Sequence, residues 1–494
     1  MANRREQILA YILGCMLYNV FFHPLRHYPG PKWAAATSIP YAQLIISGQA
    51  HRRVADLHSK YGNVVRIAPN ELSYTNVEAW NDIFGHRKAS QEEHIKDPVF
   101  TAPFKGNIIG ADRNDHRRMR RILSHAFSAS TMLEQQPLIN KYIDLLIQRL
   151  HENSSSGTRA VDVVAWYNYT TFDIIGDLAF GEPFGCLENS AAHAWVDMIF
   201  ALVKINAFSG LIGRYPLIAA FLQYCIPAGV RRKADMLTEM ARTKVEKRLA
   251  LNTDRPDFIR NMLSKGDLST LWRPLTNQSM THEEIHDNAR LLIGAGSETT
   301  ATALSAATYF LGSHPHVLAK LTEEVRSSFS SEQEIDVVNV QKLTYMLAVL
   351  DESLRLHPPS PIANLRRVAT GGATICGQFV PHGTSIGVWH WAMFRNPENF
   401  TLPESFIPER WLGDRRFLGD KKEALQPFSY GPRNCIGKNL AYVEMRVILA
   451  RIIWNFDLVM AHDSQNWMNK EEVYTLWMKG PLNFYLKPRN RVQS

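Results

Sequence analysis

A loop near the C-terminal end of the chain carries the residue types best suited to chemistry. Phe428, Gly431, Arg433, Cys435 and Gly437 follow the spacing Phe-x-x-Gly-x-Arg-x-Cys-x-Gly. A thiolate needs backbone N–H groups and positive charge nearby to stay ionised, and glycines let a flat macrocycle approach the backbone closely. The loop therefore predicts a haem iron held by Cys435 and used to activate oxygen. A lone cysteine is more often a small buried apolar residue, so the prediction depends on the whole motif.

A second candidate group lies inside a long helical pattern that begins with the capping box of Thr281 and Glu284 and runs for about 30 residues. Gly296, Glu298 and Thr299 interrupt its apolar residues. A buried hydroxyl beside a carboxyl can relay protons into a site without admitting bulk water. The alternative is structural: the glycine permits a close helix crossing, and the threonine bonds back to a carbonyl. The structural alternative is favoured for this motif alone, and proton relay is favoured once the cysteine loop is considered.

Composition excludes several classes of protein. The 494 residues are 45% hydrophobic and 21% charged, which is typical of a globular chain. The five cysteines are odd in number and show no Cys-x-x-Cys spacing, which argues against a disulfide framework or a structural zinc site. The net charge of +8 favours an acidic partner or an anionic membrane surface. Nucleic acid is not an expected partner, because the sequence has no zinc-finger spacing or aromatic-basic strip.

The N-terminal segment predicts a membrane contact. Residues 8–22 are mostly apolar, and basic residues lie on both sides of them. This run of roughly 15 residues is shorter than the ~20 that a spanning helix needs. Our first interpretation is an uncleaved anchor with a Pro-rich hinge over residues 1–31, and the alternative is a helix that lies on the membrane surface. Residues 32–494 are expected to form a single domain.

Hydrophobic periodicity predicts a mainly α protein with minor β-sheets. Two short strands are expected around a Pro-Asn turn early in the chain, and strand-like runs return near its end. The predicted helices are 162–180, 192–208, 228–251 and 281–311, and the predicted strands are 63–67, 71–74, 373–380 and 482–486.

The cysteine loop and the helical run of residues 440–450 resemble the haem-binding signature of the cytochrome P450 superfamily, without a departure from it. The resemblance implies a fold that holds haem b between a long core helix and the cysteine loop. It makes Cys435 the axial ligand, Arg433 a ligand of a haem propionate, and Phe428 the ring beside the thiolate. Gly431 and Gly437 belong to the same haem-binding set.

The resemblance extends to two further motifs. It makes Thr299 the alcohol that delivers protons and Glu298 its acidic neighbour. The family also pairs a Glu-x-x-Arg motif with the arginine of a later Pro-Glu-Arg segment, and here these residues are Glu352, Arg355 and Arg410. They are expected to form a buried structural lock that holds the cysteine loop.

Other residues are expected at the haem propionates. His116 and Arg120 correspond to the family's Trp-x-x-x-Arg, with histidine in place of the usual tryptophan, and both can still bind a carboxylate. The rival interpretation, a solvated docking face, is favoured for the neighbouring Arg117 and Arg121. Arg367 aligns with another propionate-binding arginine, although Arg366 directly precedes it.

The implied function is that of a haem-thiolate monooxygenase that inserts one oxygen atom from O2 into a lipophilic small molecule. The entry segment of residues 18–31 resembles fungal microsomal members, which suggests secondary-metabolite biosynthesis at the endoplasmic reticulum membrane with the catalytic domain facing the cytosol. No Gly-x-Gly-x-x-Gly follows a strand, so electrons are expected from another protein. The family resemblance implies that this protein is a membrane-bound NADPH-dependent flavoprotein reductase. The alternatives are a reductase-independent haem-thiolate isomerase or peroxygenase, and a non-catalytic haem-binding protein. By family position, the substrate pocket should be lined by residues 99–104, 200–211, 362–364 and 477–478.

Overall fold

A computed structural model describes residues 2–88, 91–101, 104–193, 195, 204–205, 207–208, 213, 228–251, 253, 255–263 and 280–489. In these residues the chain is mainly helical with small sheets, as predicted from the sequence. The helix predicted over 192–208 lies largely outside them. The helices are α1 (Ala2–Phe21), α2 (Lys32–Ala36), α3 (Ile39–Ile46), α4 (Ala50–Tyr61), α5 (Glu78–Phe84), α6 (Pro98–Thr101), α7 (Arg113–Ala126), α8 (Ala129–Asn153), α9 (Val163–Phe180), α10 (Cys186–Asn189), α11 (Ala228–Ala250), α12 (Phe258–Met262), α13 (His282–Ser313), α14 (Pro315–Ser328), α15 (Thr344–Leu356), α16 (His390–Phe394) and α17 (Lys438–Asn455). The strands are β1 (Val64–Ala68), β2 (Glu71–Tyr74), β3 (Ile95–Lys96), β4 (Ala160–Asp162), β5 (Arg366–Arg367), β6 (Ala373–Ile375), β7 (Gln378–Val380), β8 (Ser385–Val388), β9 (Phe456–Met460), β10 (Glu472–Val473), β11 (Trp477–Met478) and β12 (Asn483–Pro488).

Helix α13 crosses the core and positions the candidate proton-relay residues. Its start is fixed by the predicted capping box, in which the Glu284 N–H donates to Thr281 Oγ1 and the Thr281 N–H donates to the Glu284 carboxylate. The helix has 32 residues, or about 48 Å of length, and packs along α9. A Cβ at Gly296 would lie 2.6 Å from Cδ1 of Ile175 on α9. The glycine therefore allows the close helix crossing, which confirms the structural part of the prediction.

The largest sheet has five strands in the order β1-β2-β8-β5-β3. Strands β2 and β8 run parallel, and the other neighbours are antiparallel. The pairing of β3 with β5 sets Lys96 directly opposite Arg366. Like charges at facing positions of a sheet destabilise it, so this register indicates that an anion belongs beside the pair. A second sheet has the order β4-β12-β9, and β6–β7 and β10–β11 form two-stranded ribbons.

The N-terminal segment is helical and exposes apolar side chains, with Tyr11, Phe21 and Phe22 each more than 60% exposed. Among the described residues, no helix is long and apolar enough to cross a bilayer. The Pro-rich segment after α1 docks on the sheet, because the carbonyl of Pro29 accepts a hydrogen bond from the Arg66 N–H at 2.7 Å.

Candidate functional site

A cavity of about 1000 Å³ lies between α13 and the loop that precedes α17. Eight of the ten residues that the sequence analysis proposed for the site line this cavity, and Glu298 and Gly431 do not. The eight are His116, Arg120, Thr299, Arg367, Phe428, Arg433, Cys435 and Gly437. The geometry thus brings together side chains from α7, α13, β5 and the cysteine loop.

The cysteine loop is shaped by its backbone. The Cys435 N–H donates to the carbonyl of Phe428 at 2.8 Å, which closes the loop, and the Phe428 ring packs on Tyr442 of α17. Gly431 has φ of +75°, and a Cβ there would lie 1.8 Å from the carbonyl oxygen of Phe84. Gly431 therefore contributes by permitting the turn and the close contact with α5, not by lining the cavity.

The electrostatic environment of Cys435 combines opposing effects. Burial raises the pKa of its thiol, whereas the Gly437 N–H and the charges of Arg120 and Lys438 act in the other direction. A coordinated metal deprotonates a thiol outright. One backbone donor and two nearby cations therefore favour the thiolate form of Cys435, which is the form that binds a metal.

Positive charges gather on one side of the cavity. We call Lys96, Arg120, Arg366 and Arg433 the cation cluster. Burial lowers the pKa of Lys96 well below its usual value, and the three arginines lower it further. Within the described residues, the carboxylate that pairs with this cluster is Glu93, which lies 2.6 Å from Arg433. Four cations beside one carboxylate form a site for additional anions.

His116 lies among these cations. It is buried, and burial followed by the charges of Arg433, Lys96, Arg120 and Arg366 lowers its pKa to about 3. The ring is therefore neutral at physiological pH and can donate one N–H to an anion. This arrangement is consistent with the role that the resemblance implied for histidine in place of tryptophan.

The two adjacent arginines of β5 have different partners. Arg367 donates to both carboxylate oxygens of Asp97, at 3.2 and 3.0 Å. Arg366 is buried and has no such carboxylate pair, and the Nε atoms of both arginines lack a hydrogen-bond partner among the described residues. Both line the cavity, but Arg366 is the one that belongs to the cation cluster, so the propionate contact assigned to Arg367 stays a prediction.

On the opposite side of the cavity, Thr299 and Glu298 point to different surroundings. The Thr299 hydroxyl lines the cavity and donates to the carbonyl of Ala295 at 2.8 Å, the contact that the structural alternative predicted. The Glu298 carboxylate is buried away from the cavity, where Lys479 donates to it and Thr302 donates to it at 3.1 Å. The two members of the expected relay are therefore not in hydrogen-bond contact in this structure.

The structural lock is present as predicted. Arg355 donates to both carboxylate oxygens of Glu352, at 2.9 and 2.8 Å, and Arg410 donates to the same carboxylate at 3.4 Å. Arg410 is also bound by Asp420, and all four side chains are fully buried. We keep the name lock for Glu352, Arg355 and Arg410.

The apolar part of the cavity agrees with most of the predicted substrate pocket. Val99, Phe100 and Phe104 line it, as do residues 362–364. The prediction for Trp477 and Met478 is wrong, because residues 473–476 line the cavity in their place. Trp477 is instead buried against His357, with ring centroids 4.1 Å apart. The segment 200–211 lies mostly outside the described residues.

Sequence reasoning missed several buried charged residues near the site. Lys96 belongs to a two-residue strand that has no periodicity to reveal it. Lys479 pairs with a glutamate 181 positions earlier, and no motif connects them. Burial raises the pKa of Glu444 to about 8, and its carboxyl is hydrogen-bonded by Thr300, a cavity residue. Of these residues, Glu444 alone had a signal in the sequence, because it is a lone glutamate that interrupts an apolar helix face.

These residues fit a haem. The unmatched cations suit two propionate carboxylates, since guanidinium and ammonium groups bind carboxylates by charge-assisted hydrogen bonds. The sulfur of Cys435 lies in the same cavity, and a haem held through cysteine is the cofactor that requires both features.

Comparison with known proteins agrees with this geometry. The family described as Cytochrome P450 matches residues 29–488. A trichothecene C-15 hydroxylase of Fusarium sporotrichioides is 49% identical over 97% of this chain and 96% of its own length. The cytochrome P450 monooxygenase astJ of Aspergillus oryzae is 45% identical over 98% of this chain and 96% of its own. An averantin hydroxylase of Dothistroma septosporum is 43% identical over 99% of this chain and 91% of its own.

Proposed function

The chain belongs to the cytochrome P450 family of oxygen-incorporating oxidoreductases, and from this we propose that it hydroxylates a lipophilic secondary metabolite with electrons from an NADPH-dependent flavoprotein reductase. The observation that carries the proposal is the single cavity in which Cys435 and the cation cluster lie opposite Thr299. The similar proteins named for hydroxylation of trichothecene and averantin support the reaction type. They do not share one named substrate, so we propose a class of substrate and not a compound.

We propose haem b as the cofactor. When bound through a thiolate, it supplies the activation of O2 and the insertion of one oxygen atom into the substrate. Cys435 would hold the iron, and Arg120, Arg433 and one of the β5 arginines would hold the propionates. His116 would add a neutral N–H donor. The chain's own contribution is thus to fix the orientation of the cofactor and to neutralise its carboxylates.

The substrate would be held by the apolar walls of the cavity. Val99, Phe100 and Ile362 offer apolar surface, and such surface favours a lipophilic ligand by removing it from water. Position in the cavity decides which substrate atom reacts, because a reacting group must be held close and oriented.

Thr299 would hold a proton at its Oγ1 facing the cavity. Replacing Thr299 by alanine should leave NADPH consumption largely intact while product formation falls by roughly 10²-fold, the scale of a lost general-acid contribution. Measuring product formed per NADPH consumed tests this, and Thr299→Ser, which keeps the hydroxyl, is the matched control. Full coupling in the alanine variant would remove Thr299 from the proposal. We also propose that Glu298 takes part only after its ion pair with Lys479 opens, when its carboxylate can take up a proton from water and pass it on.

We further propose that the enzyme works at the endoplasmic reticulum membrane with its catalytic domain in the cytosol. The exposed apolar side chains of α1, including Leu9, Leu13 and Phe21, suit a helix in contact with lipid. Deleting residues 2–22 should shift the protein from the membrane fraction to the supernatant while the haem spectrum is kept. A truncated protein that still sediments with membranes would contradict this.

The central experiment combines spectroscopy with product analysis. The reduced protein should give the carbon monoxide spectrum of a thiolate-ligated haem, and Cys435→Ser should abolish it. Incubation with reductase, NADPH and lipophilic candidate metabolites should give products heavier by one oxygen atom in mass spectrometry. Turnover that proceeds without the reductase would instead indicate an isomerase or peroxygenase. An unchanged spectrum in Cys435→Ser would refute the haem-thiolate assignment itself.

A further inference from the structure

Two histidines and a glutamate meet where α11 and α13 pack together, on helices that also border the cavity. His282 and His286 lie on α13, and Glu246 lies on α11. The Nε2 atoms of His282 and His286 lie 3.2 and 2.9 Å from the same oxygen, Oε1 of Glu246. One ligand atom from each residue falls within 4.8 Å of the others.

The secondary structure fixes this arrangement. Residues four positions apart share one face of an α-helix, so both imidazoles project toward α11. His282 is the first residue of α13, whose start is held by the Thr281 capping box, so the first turn that carries this ring is well defined. The ring of His282 packs edge-on against that of His286, with centroids 4.7 Å apart.

The three side chains have few competing partners. Within the described residues, the ion pairs of Glu246 are with these two histidines, and the neighbouring Arg242 pairs with Glu283 instead. Nδ1 of His286 is buried and has no hydrogen-bond partner in the same described set. A metal bound by these three side chains would therefore disrupt only the contacts that Glu246 makes with the two histidines.

The donor set is that of a transition-metal site. Two imidazole nitrogens and one carboxylate oxygen form the three-ligand set that Zn²⁺ accepts, with water completing a tetrahedron. Ligand atoms at the usual bond lengths of 2.0–2.2 Å lie roughly 3.3 Å apart in such a tetrahedron. The contacts of 3.2 and 2.9 Å are within a few tenths of an ångström of this value. The side chain of Glu246 is 47% exposed, which leaves room for entry of the ion and for the water.

We propose that Glu246, His282 and His286 bind a divalent transition metal, Zn²⁺ in the first instance, and that the ion ties α11 to α13. The same two helices meet again at the cavity, where Arg290 of α13 donates to Thr238 of α11 at 3.2 Å and both residues line the wall. Thr238 is eight residues before Glu246, or about 12 Å along the helix. A bound ion would thus hold α11 over the cavity independently of the haem chemistry.

The test is a zinc titration of the haem-loaded protein against a chromophoric chelator. We expect one Zn²⁺ per chain, with affinity reduced at least about tenfold by His282→Ala and by His286→Ala, since each removes one of three ligands. Glu246→Gln should also weaken binding, because the amide is a poorer ligand. His316→Ala, which removes an exposed histidine outside the cluster, is the matched control and should leave the affinity unchanged.

A second measurement distinguishes a bridging ion from zinc bound elsewhere. Hydrogen exchange in residues 228–250 should slow on addition of zinc to the unmodified protein and should not change in Glu246→Gln. Glu246 and His282 are not buried, so their variants should fold, as an unaltered carbon monoxide spectrum would verify. Equal zinc affinity in the cluster variants and the control, or zinc-independent exchange in α11, would overturn the proposal and leave the proposed monooxygenase function untouched.

Discussion

Two sets of charged side chains in this protein differ in how their charges are balanced. In the lock, the guanidinium groups of Arg355 and Arg410 face two carboxylates, those of Glu352 and Asp420. In the cation cluster, four cations have a single paired carboxylate, Glu93, within the described residues. A buried charge is costly unless a counter-charge accompanies it. The comparison teaches that the lock is complete within the folded chain, whereas the cation cluster needs anions from a ligand.

The difference follows from the work each set does. The lock joins α15 to the 3₁₀ turn of residues 408–412, which comes shortly before the cysteine loop, and Trp411 donates to Glu352 at 3.0 Å as well. The ion pairs of the lock are made within the chain, so they are expected to persist whether or not a cofactor is bound. The cation cluster, with Lys96 opposite Arg366 across two strands, is repulsive by itself. Its charges become favourable only when the propionates of the proposed haem lie among them.

The largest effect should come from breaking the lock. Glu352→Gln leaves two buried guanidinium groups short of a counter-charge, and we expect a loss of about 3–5 kcal/mol in the free energy of unfolding. Urea unfolding of the purified protein, followed by far-UV circular dichroism, measures this. Lys320→Met is the control: Lys320 pairs with Glu409 at 2.6 Å but is 54% exposed, so its loss should cost less than about 1 kcal/mol. Equal stability of Glu352→Gln and the unmodified protein would contradict the proposed difference between the two sets.

Variants of the two β5 arginines sharpen the comparison. Arg366→Met removes a cation from a repulsive group, so the apoprotein should be as stable as the unmodified one or more stable. The same change should weaken haem retention by about 10- to 100-fold, through the loss of one charge-assisted hydrogen bond. The rate of haem transfer to a haem-scavenging protein measures retention, and urea unfolding of the apoprotein measures stability.

Arg367→Met provides the opposite case on the adjacent residue. It breaks the pair with Asp97, which also accepts a hydrogen bond from Ser385, so the apoprotein should lose stability. Haem retention should change less than in Arg366→Met. If the two variants exchange these behaviours, Arg367 is the propionate ligand, as the family alignment first suggested, and Arg366 is not.

Local patterns explain what could be predicted from the sequence. The spacing around Cys435, the capping box at Thr281 and the Glu-x-x-Arg of Glu352 each encode a geometry within a few residues, and each leads to a feature that the structure contains. The mainly helical fold was predictable for the same reason, because hydrophobic periodicity is a property of single segments. Even the contribution of Gly296 to helix packing could be anticipated from the cost of a glycine inside a helix.

Contacts between distant segments explain what could not be predicted. The choice between Arg366 and Arg367 depends on the register of β5 against β3, because that register sets Arg366 opposite Lys96, and a shift of one residue would set Arg367 there instead. The carboxylate of Glu298 was expected beside Thr299, but a lysine that follows β11 holds it on another face of α13. Residues 473–476 line the cavity in place of Trp477 and Met478, and this too is decided by how the C-terminal segment packs against distant parts of the chain. None of these choices leaves a periodic signal in the sequence.

Counted per pH unit, the smallest expected effect concerns the pH dependence of the cation cluster. In the folded chain, burial and the neighbouring cations lower the pKa of His116 to about 3, whereas an unfolded histidine titrates near 6.5. Between about pH 6.5 and 3 the unfolded chain therefore binds a proton that the folded chain does not. The free energy of unfolding of the apoprotein should fall as the pH falls through this range, by at most about 1.4 kcal/mol per pH unit from this residue.

Haem should reduce the part of this contribution that comes from the cations, because propionates among them raise the pKa of His116, whereas the part that comes from burial should remain. Urea unfolding at a series of pH values, with and without haem, measures both slopes. His116→Gln isolates the residue from other buried histidines, such as His58 and His390, whose pKa values are also lowered, to about 4. The variant should flatten the slope of the apoprotein more than the slope of the haem-loaded protein. An equal effect of His116→Gln in both forms would mean that the bound ligand does not neutralise the cation cluster, and the contrast with the lock would fail.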